Sequence, residues 1–350
     1  MSGTSNSGNQ SAPRGPPLSW VPLEPLRETL DSSKLCISDG HHPRLAKDKD
    51  YADSVLKAWR RDVKSLNDSE QTVGSTFVYH RSEDGAELLN GYIVASSILA
   101  HRSNSDEMER KVPAVLFFHT GAGPQDIFLR WKADVLVRQM GCVVLIADII
   151  SDAEGYAWSD RERYDAARRN VLATSEEEGQ IARWKLRQSI TAALDALKGM
   201  DIVDSNRIAG LGWCMGGHPL LELGLMQEQG VKALVSYHGV FDGIKDHALP
   251  TCSRTTATDE DGNLPGSGNT QVLICNGMED PFVAQDDIAK TKTILQTRGF
   301  QVEVINFDGV KHGFTNPAQD YNPSDAFAFN EHAAKTSWES TIQLLRNSLM

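Results

Sequence analysis

Six short, mostly apolar runs, separated by stretches with helical spacing, restrict this chain to one class of architecture. They are residues 114–118 (AVLFF), 142–147 (CVVLIA), 207–212 (RIAGLG), 232–237 (KALVSY), 271–275 (QVLIC) and 302–307 (VEVINF). A strand that is apolar on both faces must be covered on both faces, as in a parallel sheet between layers of helix. Residues 128–140, 180–197, 219–226, 284–297 and 326–349 carry apolar side chains at helical spacing. The alternation predicts an α/β fold: a mainly parallel central sheet with helices on both faces. Upstream, residues 76–80 and 88–95 flank the turn signal SEDG at 82–85 and predict an antiparallel N-terminal edge.

The rest of the chain divides by composition. Residues 1–20 open with Ser, Gly, Asn and Pro, bury too little to offset ordering entropy, and are expected to form a disordered tail. Residues 21–71 form an N-terminal extension whose segment 51–66 (YADSVLKAWRRDVKSL) predicts an amphipathic helix on the surface of the main domain. Residues 72–350 form one domain, because no flexible linker divides them. Within it, 151–178 is a charged excursion expected over the surface, and 253–270 is a polar, Gly-containing loop; both, with the helix at 51–66, are expected to shape the pocket.

A formal net charge of -12 argues against nucleic-acid and anionic membrane partners. No apolar run approaches the ~18 residues of a membrane span, and the N-terminus lacks the apolar stretch of a secretory leader. The five cysteines, Cys36, Cys142, Cys214, Cys252 and Cys275, are odd in number and form no CxxC pair. That pattern predicts free thiols in a reducing cytoplasm rather than disulfides or a zinc site. His41, His42 and His332 lack clustered partners, so no metal is expected. Nothing in the sequence reports oligomeric state.

The chemistry concentrates at Gly212-Trp213-Cys214-Met215-Gly216-Gly217, which follows a strand and precedes a helix. This is the G-x-nucleophile-x-G elbow of an α/β-hydrolase fold, with Cys as nucleophile. The flanking glycines let strand and helix approach closely around a strained turn. The Met215 N–H, at a helix N-terminus, is placed to donate to a developing oxyanion. In this fold the acid and the histidine follow the nucleophile in that order, each after a later strand. Asp280, after strand 271–275 and before Pro281, is the expected acid, with Glu279, Asp286 and Asp287 as competitors. His312, after strand 302–307, is the expected base. The second oxyanion donor is expected from the loop His119-Thr120-Gly121-Ala122-Gly123, with Gly121 N–H as the choice. Thr120 and Trp213 are candidates for substrate contact. His238 is expected to be a packed strand-end residue.

These residues resemble the dienelactone hydrolase, or carboxymethylenebutenolidase, family. Gly212 to Gly217 is similar to its G-[YFW]-C-x-G-G, Gly277-x-x-Asp280-Pro281 to its acid loop, and His312-Gly313-Phe314-Thr315-Asn316-Pro317 to the H-x-F-x-N-P ending of one branch. The resemblance spans roughly residue 72 to the C-terminus. It implies a Cys-His-Asp triad, no cofactor, and a small-molecule ester or lactone substrate. The chain departs from the family twice. A family Glu that bonds the resting thiol is matched by Thr120, which cannot take the thiol proton as a carboxylate can. Cys214 is therefore expected to rest as a thiolate paired with the His312 imidazolium. A family Arg that holds the substrate carboxylate is matched by Asn316, leaving Arg161 and Arg163 as substitute cations. Two other functions stay open: a catalytically silent ligand-binding protein, and a thiol hydrolase of other acyl groups such as thioesters.

Overall fold

The computed structural model describes residues 18–23, 49–66, 70–80, 87–102, 111–152, 155–173, 183–242 and 270–350. The sequence expectations for residues 1–17, His41, His42, Cys36, Cys252, the turn at 82–85 and most of the loop at 253–270 fall outside them. In chain order the elements are β1 (Val21–Pro22), α1 (Lys49–Ser65), β2 (Thr72–His80), β3 (Leu88–Ser96), α2 (Ser97–Ala100), β4 (Val112–Phe118), α3 (Ile127–Met140), β5 (Val143–Ala147), α4 (Arg161–Val171), α5 (Trp184–Lys198), β6 (Val203–Trp213), α6 (Gly217–Met226), β7 (Val231–Tyr237), β8 (Gln271–Gly277), α7 (Gln285–Thr297), β9 (Gln301–Phe307) and α8 (Glu331–Leu349). Single 3-10 turns run over Cys214–Gly216 and Pro317–Tyr321.

Among the described residues the strands form one nine-stranded sheet, ordered β1-β2-β3-β5-β4-β6-β7-β8-β9. The pairs β1–β2, β2–β3 and β3–β5 are antiparallel, and every later pair is parallel. The period-2 geometry of a strand explains the apolar runs. In β4, Val115 and Phe117 enter one core layer, while Ala114, Leu116 and Phe118 enter the other. The first layer is closed by α1, α3 and α8, the second chiefly by α5, α6 and α7.

Three differences from the sequence expectation have local causes. Residues 18–20, placed in the tail by composition, lead into an edge strand. Ser19 N–H donates to Ser75 Oγ at 3.0 Å, and Leu18 and Trp20 pack against the second layer. The helix expected over 51–66 begins at Lys49, and its face Tyr51, Val55, Trp59 and Val63 is buried against α3 and the 317–321 turn. It is part of the first core layer rather than a peripheral attachment; Trp59 Nε1–H donates to the buried carboxylate of Asp134, which also accepts from Thr72 Oγ1. The C-terminal helix begins at Glu331 rather than at 326. Residues 326–328 are drawn to the histidine loop: His312 N–H donates to Ala326 O, and Ala328 N–H to His312 O. Asn330 then caps α8 by accepting from Ala333 N–H.

Candidate active site

Strand β6 delivers Cys214 at its carboxyl end, on the 3-10 turn that leads into α6. The backbone of Cys214 is left-handed, with φ 54°, an unfavourable conformation for a residue with a side chain. The turn is possible only between glycines. A Cβ on Gly212 would lie 2.2 Å from Gly216 O, and one on Gly216 would lie 2.3 Å from Phe118 O. The Cys214 carbonyl is held by Val240 N–H at 2.8 Å.

Asp280 follows β8 and His312 follows β9, so neighbouring parallel strands bring both toward Cys214. Asp280 Oδ2 lies 2.6 Å from His312 Nδ1, both side chains being buried. Asp280 Oδ1 accepts from Phe282 N–H at 2.9 Å, which fixes the carboxylate plane. Glu279 is exposed, and Asp286 and Asp287 lie in the first turn of α7. Burial by itself would lower the His312 imidazole. The charge of Cys214 and the hydrogen bonds to Asp280 and Cys214 outweigh it and push His312 up to about 10.

Cys214 and His312 open on a cavity of about 580 Å³, with Asp280 buried behind His312. Thr120 and Gly121 line the cavity. The loop is braced by His119, whose Nε2 accepts from Ile149 N–H at 3.3 Å; its Nδ1 lies 2.6 Å from Thr120 O. Tyr156 N–H donates to Gly121 O at 2.9 Å. Met215 follows Cys214 in the 3-10 turn, with its side chain in the second core layer. Trp213 is not part of the cavity wall. It is fully buried in the first layer, stacked on Tyr237 at 4.8 Å and edge-on to Phe117 at 4.8 Å. Such pairs add about 0.5–1.5 kcal/mol each beyond area burial, so this tryptophan packs beneath the site rather than touching substrate.

Of the two proposed cations, Arg161 lines the cavity but is engaged by Asp165 at 3.0 Å, and Arg163 turns outward to Asp152. The charged excursion, expected to help shape the pocket, contributes Tyr156, Trp158 and a helix to the cavity wall. That helix, α4, presents Tyr164 and Arg168, one turn apart, toward Cys214. Their i, i+4 spacing in RERYDAARRN was the available signal. Arg168 bonds Asp242, which also contacts His218 Nε2 at 3.1 Å. Burial lowers His218 to about 4, so the ring is neutral; it donates from Nε2 to Asp242 and accepts at Nδ1 from Arg183 at 3.2 Å.

His238 is buried at a strand end and also faces the cavity. Its ring stands edge-on to His312, centroids 4.7 Å apart, and its Nε2 meets Thr315 Oγ1 at 3.2 Å. Burial, then the charge of His312, holds His238 well below its usual range. It is a neutral neighbour that does not repel the imidazolium. Asn316 does not reach for a substrate carboxylate. Its Oδ1 accepts from Ala318 N–H and its Nδ2 donates to Tyr51. Phe282 and Phe327 flank His312 at 5.1 and 5.2 Å.

Solved structures share the fold. A solved dienelactone hydrolase-like promiscuous phosphotriesterase from metagenomic libraries is 21% identical, with a TM-score of 0.56, covering 80% of this chain and 99% of its own. A solved putative dienelactone hydrolase from Klebsiella pneumoniae is 14% identical, with a TM-score of 0.52, covering 79% and 98%. An uncharacterized protein of Caenorhabditis elegans is 23% identical over 164 residues, 47% of this chain and 94% of that protein. The structural likenesses establish an α/β-hydrolase fold. Residues 96–349 match the family model described as the dienelactone hydrolase family. With the match running from the end of β3 through α8, this chain belongs to the dienelactone hydrolase family and is a hydrolase acting on esters or lactones.

Proposed function

We propose that the protein is a cysteine-dependent hydrolase of lactones or small esters that works through an acyl-enzyme on Cys214. The observation that carries this reading is the buried 2.6 Å contact between His312 Nδ1 and Asp280 Oδ2, on a histidine that lines one cavity with Cys214. Cys214 rests as a thiolate beside the His312 imidazolium. The sulfur attacks the ester carbon, and the carbonyl π pair moves onto oxygen, where the Met215 and Gly121 N–H groups stabilise it. As the tetrahedral species collapses, the C–O bond to the leaving group breaks and His312 gives that oxygen its proton. Neutral His312 then takes a proton from water, which attacks the thioester, and the sulfur leaves as thiolate. Asp280 holds the imidazole tautomer and supports its positive form.

Tyr51, Phe128, Trp158, Phe282 and Phe327 give the cavity an aromatic lining, which suits an apolar or ring-containing substrate of modest size. Cys142, Cys214 and Cys275 are free. A thiolate nucleophile works only while reduced, so the reading includes a reducing, cytoplasmic address. No described helix is long and apolar enough to cross a membrane.

Turnover of 4-nitrophenyl acetate by the wild type and by Cys214→Ala, followed by a lactone panel, tests the proposal. Wild-type turnover with loss of at least a hundredfold in the variant supports it. Equal rates for the two proteins would overturn it.

A further inference from the structure

We infer that Tyr164 is a further catalytic residue, whose phenol O–H donates a hydrogen bond to the substrate carbonyl oxygen as that oxygen becomes negative. The inference rests on the ester-hydrolase reading above and adds a donor from α4 to the two backbone N–H groups.

The placement of the ring carries it. Tyr164 lines the same cavity as Cys214, Thr120 and Gly121. Its ring lies directly over Gly121: a Cβ there would sit 3.0 Å from Tyr164 Cε2 and 3.2 Å from Cδ2. The residue proposed to offer a backbone donor is thus covered by a side chain that ends in another. Tyr164 N–H donates to Asp160 O, and the ring meets Tyr156 edge-on at 6.0 Å, with the Arg161 guanidinium 5.9 Å from its centroid. Tyr156 is itself bonded to Gly121 O. The ring is therefore positioned by the loop it covers.

The hydroxyl is treated differently from the ring. Among the described residues none shares a hydrogen bond with it, while nearby Arg161, Asp165, Arg168 and Asp242 are all paired. Tyr164 is part-buried and lines the cavity, so its hydroxyl takes its hydrogen-bond partner from what enters there. Burial, reinforced by the charge of Cys214, pushes the phenol well above its usual range. It stays protonated at working pH, so it acts as a hydrogen-bond donor and takes no part in proton transfer. In the step concerned, the sulfur–carbon bond forms, the π pair moves to oxygen, and the Tyr164 O–H shortens its contact to that oxygen without releasing its proton. Because the oxygen carries charge only in the tetrahedral species, the contact strengthens there and acts on kcat.

The test compares full-length wild type, Tyr164→Phe and Cys214→Ala with 4-nitrophenyl acetate, and measures alkylation of Cys214 by iodoacetamide. The expected result for Tyr164→Phe is a kcat about 10- to 100-fold lower, a KM within about threefold, and an alkylation rate within about twofold of wild type. A kcat within twofold of wild type overturns the inference. So does an alkylation rate that falls with kcat, which would mean that Tyr164 supports the thiolate pair and not the oxyanion. Should Tyr164→Phe not fold, Tyr164→Gln and Tyr164→Leu replace it. A kcat at least threefold higher for Gln, which keeps a donor, supports the role, and equal rates overturn it. If Cys214→Ala matches wild type, the ester-hydrolase reading fails first. If only Cys214→Ala is inactive and Tyr164→Phe is unaffected, the Tyr164 inference alone fails.

Discussion

Asn316 Nδ2 donates to the phenol oxygen of Tyr51 at 3.1 Å, across 265 positions of the chain. The same phenol donates to the carboxylate of Asp126, 2.8 and 2.9 Å from its two oxygens. One hydroxyl thus joins α1, the histidine loop and the start of α3, where Asp126 caps the helix by accepting from Phe128 N–H. The N-terminal helix is in this way part of the catalytic scaffold.

Tyr51→Phe is expected to destabilise the protein in a pH-dependent way. Burial raises Asp126 to about 6, against the hydrogen bonds from Tyr51 and Phe128 and the charge of Arg130. A carboxyl raised above its unfolded value of about 4 contributes stability that is present below that value and lost as pH rises through about 6. The variant loses a bond that supports the ionised form. The expected loss is about 1–3 kcal/mol at pH 8 and smaller at pH 4.5. Urea midpoints at the two pH values measure it, and equal losses would show that the carboxylate is not involved.

Asp280→Asn should reduce kcat by about 10²–10⁴ with little change in melting temperature. The native carboxylate faces both His312 Nδ1 and Phe282 N–H with acceptor oxygens. An amide has only one acceptor, so its NH₂ must turn toward one of them. Steady-state kinetics with a 4-nitrophenyl ester, beside a thermal melt, separates lost orientation from lost fold. A kcat within threefold of wild type would remove Asp280 from the mechanism.

The raised His312 predicts the pH behaviour of the nucleophile. With the imidazolium retained up to about 10, the Cys214 sulfur keeps its cationic partner across the neutral range. Alkylation by iodoacetamide at pH 7 should be within about threefold of its rate at pH 9, whereas a free thiol would gain about 25-fold over that interval. For esters with poor leaving groups, kcat/KM should fall as pH rises through about 10, because the proton for the leaving oxygen is lost. An alkylation profile that tracks a free thiol would contradict the ion pair.

Much of the site was legible because its requirements are local. The elbow needs glycine at 212 and 216 wherever the rest of the chain goes, since a Cβ at either meets backbone oxygen within 2.3 Å. Strand ends followed by Asp280 and His312 are likewise local patterns, and the parallel order of β6, β7, β8 and β9 brings them to one edge. Trp213 illustrates where such reading stops. It was a candidate for substrate contact, but the last residue of a strand is directed by the pleat, which sends this indole into the first layer.

What the sequence by itself determined is the alternation of strand and helix, the glycine-flanked turn at Cys214, and the placing of Asp280 and His312 after later strands. These follow from backbone sterics and apolar periodicity within windows of a few residues. Only the tertiary structure decided that α4 walls the cavity with Tyr164 and Arg168, that Tyr51 reaches Asn316, that His238 stands against His312, and that residues 326–328 pair with the histidine loop before α8 begins. Each of those contacts joins side chains or loops far apart in sequence. Their partners are chosen by how whole layers pack, and no local window carries that information.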